Sequence, residues 1–86
     1  MNLEQLKKNI ENDSNLNKYL RGVGKKSDNT QCIIFEDNKW LVFYYERGSK
    51  CALKEFDSEI LACEYFYKKI KDSEELKKKI CKNKNM

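Results

Sequence analysis

Two dipeptides, Asp37-Asn38 and Gly48-Ser49, separate three runs of β-branched and aromatic residues, and they constrain this chain more than any other feature. A link that short joins only antiparallel neighbours, because a parallel partner needs a crossover of about a dozen residues. Residues from Gln31 to Glu36, from Trp40 to Arg47, and from Lys50 or Cys51 to Phe56 are therefore expected to form a three-stranded antiparallel meander. Alternation along the middle run points Trp40, Val42, Tyr44 and Glu46 one way and Leu41, Phe43, Tyr45 and Arg47 the other. Both sets are largely apolar, whereas a sheet covered by one helix needs only one apolar face. The second must then be covered by the N-terminal helix, which is the expectation, by the terminal helix, or by another molecule.

Helical signals flank the meander. Leu3, Leu6 and Ile10 recur at helical spacing and predict a helix over residues 2–12, with a shorter helical piece from Asn15 to Leu20 placing Leu16, Tyr19 and Leu20 on one side. Gly22 to Asn29 is a loop by composition; its Gly-x-Gly lacks the preceding strand, third glycine and following helix of a phosphate cradle. After the meander, Asp57 or Ser58 caps a helix expected from Glu59 to about Lys71, packing through Ala62, Cys63, Phe66 and Ile70. Ser73 is expected to cap a short last helix from Glu74 to about Cys81. Leu61 and Tyr65 lie off the packing stripe. They are expected to meet Leu76 and Ile80 of that last helix, and otherwise form an exposed apolar pair suited to a partner. The expected fold class is α+β: N-terminal helix, three-stranded antiparallel meander, C-terminal helix plus a short last helix. It forms one domain over residues 1–86, with 83–86 frayed.

A chain of 86 residues buries only about 60–65 % of its unfolded surface and depends on one compact core. Trp40, all four Phe and four of the five Tyr fall between Cys32 and Ile70, so folding is concentrated there. Charge divides along the same lines. Residues 30–67 carry four bases against seven acids, and residues 68–86 eight bases against three, so the positive net charge resides mainly in the tail. Nucleic acid is therefore not the expected partner, although a sequence pI near 8.8 taken alone would suggest it.

Several function classes fall away. Histidine is absent, which removes Ser–His and Cys–His nucleophile activation. Cys32, Cys51, Cys63 and Cys81 form no CxxC pair, so the paired spacing of a thiolate zinc site is missing and reduced thiols acting as small apolar residues are expected. No cofactor, metal or catalytic residue is called for. The chain has no signal pattern at Met1–Gln5 and no apolar run of membrane-spanning length, so a cytoplasmic, non-membrane protein is expected.

The segment Lys39-Trp40-Leu41-Val42-Phe43-Tyr44-Tyr45-Glu46-Arg47-Gly48, with Phe56-Asp57-Ser58-Glu59 and Ala62-Cys63-Glu64-Tyr65-Phe66, resembles a family of small bacterial immunity proteins encoded beside polymorphic or contact-dependent growth inhibition toxins. The similarity lies in a W-x-V-x-Y-x-E-R-G hairpin and an F-x-S-E-x-x-A-C-x-Y-F helix and covers roughly residues 31–70. Relatives tend to have acidic residues where this chain has Ile60 and Leu61, and more polar ones at Leu41 and Tyr45. The resemblance implies a non-enzymatic protein that binds the C-terminal domain of its cognate toxin, a nuclease, and blocks its active site or substrate surface. Acids such as Glu36, Asp37, Glu46 and Glu64 would steer association, Tyr45, Leu61 and Tyr65 would anchor it, and Arg47 would hold a carboxylate. The alternatives are a homodimerising structural or regulatory module joined through the second sheet face, and a basic-tailed nucleic-acid-binding protein.

Overall fold

The structure, a computed structural model, describes the backbone of residues 1–84 and the side chains of residues 1–76. Helix α1 (Leu3–Glu11) leads into a 3₁₀ helix (Asn17–Gly22), strands β1 (Thr30–Glu36), β2 (Lys39–Glu46) and β3 (Ser49–Phe56), and helix α2 (Glu59–Lys84). The strands form one antiparallel sheet in the order β1-β2-β3, so the fold is α+β.

Each element has a local cause. Asn2 caps α1 by accepting from the Gln5 amide, while the Gln5 side chain bonds back to the Asn2 N–H, a reciprocal pair that satisfies two donors of the first turn. The β1–β2 turn is Asp37-Asn38, with φ of 53° and 64°, and the β2–β3 turn is Arg47-Gly48, with φ of 50° and 78°. Paired left-handed residues match the twist of a tight hairpin. The second turn thus lies one residue earlier than the Gly-Ser composition suggested. Ser58 starts α2, its Oγ accepting from Leu61 N–H at 3.3 Å.

Helix α2 is continuous. The break expected at Ser73, with a separate last helix from Glu74, does not occur. The segment Glu59–Lys84 contains neither Gly nor Pro, and Ser within a helix costs only about 0.5 kcal/mol relative to Ala. At this turn Glu74 accepts a 2.8 Å hydrogen bond from the Tyr19 hydroxyl and pairs with Lys18 at 2.6 Å, which ties mid-α2 to the 3₁₀ helix. Of the end expected to fray, residues 83 and 84 belong to α2, and residues 85 and 86 lie outside the described residues.

The main core lies on the sheet face presenting Ile33 and Val42. Leu6 and Ile10 of α1, Leu16, Tyr19 and Val23, and the predicted α2 stripe of Ala62, Cys63, Phe66 and Ile70 all pack there. The approach of the 3₁₀ helix to β1 requires Gly22: a Cβ there would collide with the Gln31 carbonyl oxygen, and the next residue, Val23, makes a parallel bridge to Ile33.

The second face differs from expectation. All the helices lie on the first face, so α1 does not cover the second, and the sheet closes on itself instead. Cys32, Ile34, Leu41 and Phe43 form a separate buried cluster flanked by Tyr45. The loop before β1 crosses the edge of this cluster, where the Ser27 amide donates to Cys32 Sγ at 3.4 Å. Lys50 and Glu36 stand at diagonally opposite corners of the sheet, yet they pair at 3.2 Å, with Lys50 Nζ 5.5 Å from the Phe43 ring centroid. That contact requires a strongly coiled sheet concave on this side. A bulge in β3 between the partners of Val42 and Tyr44, with Ala52 at φ 52°, supplies the bend.

Candidate functional site

Hairpin register determines what the sheet displays at the end where α2 begins. The two-residue turn places Phe35 opposite Trp40, and the β3 bulge leaves Trp40 opposite Phe56. Directly opposed residues share a face, so three aromatic side chains cross the sheet in a row. Phe35 and Trp40 have ring centroids 5.1 Å apart at 51°. Phe56 meets Tyr65 of α2 at 5.2 Å and 47°. Trp40, Phe56 and Tyr65 are half-buried against the main core, while Phe35 is 57 % exposed. Leu61, one turn before Tyr65, is 59 % exposed. The partners expected for it do not arrive: Leu76 is itself exposed further along the same helix, and the Ile80 side chain lies outside the described residues.

The same end is acidic. Glu36, Asp37, Glu55, Asp57 and Glu59 lie at the β1–β2 turn, the end of β3 and the start of α2, with Glu64 just over a turn further along α2 beside Met1, Tyr67 and Lys68. Half of them are engaged internally: Glu36 by Lys50, Glu55 by Lys39 at 3.5 Å, and Glu59 by the Leu3 N–H at 2.8 Å. Among the described residues, no ion pair engages Asp37, Asp57 or Glu64.

The eight residues singled out from the sequence divide between the two ends of the sheet. Glu36, Asp37, Leu61, Glu64 and Tyr65 lie at the acidic end, although Glu36 is committed to Lys50 on the concave face. Tyr45, Glu46 and Arg47 lie at the opposite end, and Tyr45 packs edge-on against Phe43 at 6.0 Å. One surface does not contain all eight. Sequence reasoning did not single out Phe35, Trp40 or Phe56 as site residues. The signal was present, since a two-residue turn at 37–38 makes 35 and 40 cross-strand neighbours.

Elsewhere, ionisable groups serve packing. Burial pushes the Cys63 thiol up to about 11, with nearby Glu59 adding to the effect. Burial also raises Cys32, against the opposing hydrogen bond from Ser27. Tyr19 is raised by burial first and then by donating to Glu74, which holds its proton. Tyr19 and Tyr44 line an open cleft of about 210 Å³ with Thr30, Gln31 and Ser73. Cys51 is an exposed free thiol on β3. Among the described residues no group of three His, Cys, Asp or Glu side chains is arranged to hold a metal ion, and no helix is long and apolar enough to cross a membrane.

No family model matches the chain, and neither a curated protein nor a solved structure matches it.

Proposed function

We propose that the protein is an immunity factor: it binds the C-terminal domain of a bacterial toxin, a nuclease, in the cytoplasm and covers its substrate surface. The observation that carries this reading is the aromatic row from Phe35 to Tyr65, half-buried except for the exposed Phe35, at an end of the molecule where Asp37, Asp57 and Glu64 have no ion-pair partner among the described residues. Aromatic anchors ringed by charge are what a protein interface uses for affinity and orientation. A nuclease substrate surface is basic, so an acidic face approaches it quickly. The resemblance of the hairpin and following helix to immunity proteins supports the same role.

A homodimer through this row is disfavoured by its own charge. A twofold interface is built from the same patch on both copies and would gather Asp37 and Asp57 of each around one axis. The test is to mix the protein with the toxin domain encoded by the neighbouring gene. A stoichiometric complex on size exclusion and loss of toxin activity are expected. Unchanged activity with the protein in excess, together with separate elution, refutes the role.

A further inference from the structure

Four rings of this molecule carry a cation of their own. Tyr19, Phe43, Tyr65 and Tyr67 each have a lysine ammonium over them, from Lys18, Lys50, Lys69 and Lys71, with Nζ 5.1 to 5.8 Å from the ring centroid. Among the described residues no ammonium covers Tyr44, Tyr45 or the buried Phe66, nor, at the acidic end, Phe35, Trp40 and Phe56. The last three rings cross the sheet beside Asp37, at the tip of the β1–β2 turn, and Asp57, directly after Phe56. A π face attracts a cation, and a nearby carboxylate adds to that attraction. At the acidic end Lys69 covers Tyr65, while the half-exposed Phe35–Trp40 pair is left open beside the two carboxylates.

We propose that the Phe35–Trp40 pair, with Asp37 and Asp57 beside it, receives an arginine side chain of the protein partner, its guanidinium stacking on the exposed ring faces and its N–H groups directed to the carboxylates. Arginine suits the site better than lysine, because its planar, weakly hydrated head stacks and hydrogen-bonds at the same time. The assignment rests on the neutralising role for the class of partner and specifies the chemistry of the contact. A purely apolar plug would leave the two carboxylates unanswered at the rim, and an acidic one would be repelled.

Trp40 is the only tryptophan, so its fluorescence reports occupancy of the row directly. The protein is titrated with an oligo-arginine peptide, with oligolysine and oligoglutamate for comparison. A saturable change is expected with oligo-arginine, a weaker one with oligolysine and none with oligoglutamate. Phe35→Ala removes an exposed ring, and Asp37→Asn removes a charge at a left-handed position that Asn tolerates, so both variants fold. Each is expected to weaken oligo-arginine binding about three- to fivefold. Binding is also expected to fade as ionic strength rises to about 1 M. An equal response to oligoglutamate, no saturable response, or indifference to both substitutions overturns the assignment, as does self-association of the free protein through the row. Peptide binding without neutralisation of the neighbouring toxin preserves this surface and removes the immunity role. Neutralisation without peptide binding does the reverse.

Discussion

Replacing Phe43 with Leu tests whether the concave side of the sheet is a true core. The ring is fully buried although no helix lies over it. Leucine keeps most of the apolar area, so the loss comes from specific contacts. The edge-on contact with Tyr45 contributes about 0.5–1.5 kcal/mol. The Lys50 ammonium contributes about 0.5–1 kcal/mol, and the residual void about 0.5–1 kcal/mol. Taken together, the substitution costs about 2.5 kcal/mol. A chain of 86 residues has a total stability of roughly 4–13 kcal/mol, so that loss is a large share. It lowers the melting temperature by about 10–20 °C at this size. Urea unfolding followed by far-UV circular dichroism and a thermal melt measure it, with Phe35→Leu as the exposed control, expected to cost less than about 1 kcal/mol. Equal midpoints for the two variants would refute the reasoning: Phe43 would then lie on a face left open in the free protein.

Other expectations follow from the same contacts. Ser73→Ala leaves stability unchanged or slightly raised, because Ser73 is inside α2, whereas Ser58→Ala costs about 1 kcal/mol as a lost cap; a urea midpoint that drops more for Ser73→Ala would restore the broken helix. Gly22→Ala forces the 3₁₀ helix away from the Gln31 carbonyl and costs about 1–3 kcal/mol by the same assay, so a wild-type midpoint would contradict that close approach. Alkaline pH destabilises the fold. The Cys63 thiol ionises near 9 when unfolded and near 11 when folded, so the unfolded chain loses its proton first and stability declines across that window; a urea midpoint flat from about pH 8 to 11 rules this out. Thiol labelling of the native protein reaches Cys51 while Cys32 and Cys63 stay protected; modification of all three at one rate would mean the two cores are open.

The parts of the fold visible in the sequence were those set by local chemistry. Two-residue turns and alternation defined the meander, and Ala62, Cys63, Phe66 and Ile70 marked the buried stripe of α2. The end of a helix was less legible: Ser73 has a capping side chain, but a cap acts only where the chain already leaves the helix, and nothing in Lys71-Asp72-Ser73 makes it leave. The covering of the second face was not legible at all. It depends on a coil in the sheet, produced by one bulge in β3 and fastened by a lysine and a glutamate far apart along the hairpins. For the candidate site, chemistry identified the acids and Tyr65, while the aromatic row emerged only when register placed three strands side by side.

Strand β3 is attached mainly through its main chain: seven of its eight residues are exposed, and besides Phe56 only Lys50 leans inward, over the concave face. Backbone pairing is indifferent to which residue supplies the amide, so substitutions between Ser49 and Glu55 change the outer surface at little cost to folding, Lys50 and the left-handed Ala52 excepted. The molecule thereby separates what must stay constant from what is free to drift. A closely packed interior of helices and two strands carries a third whose outward character is open to revision.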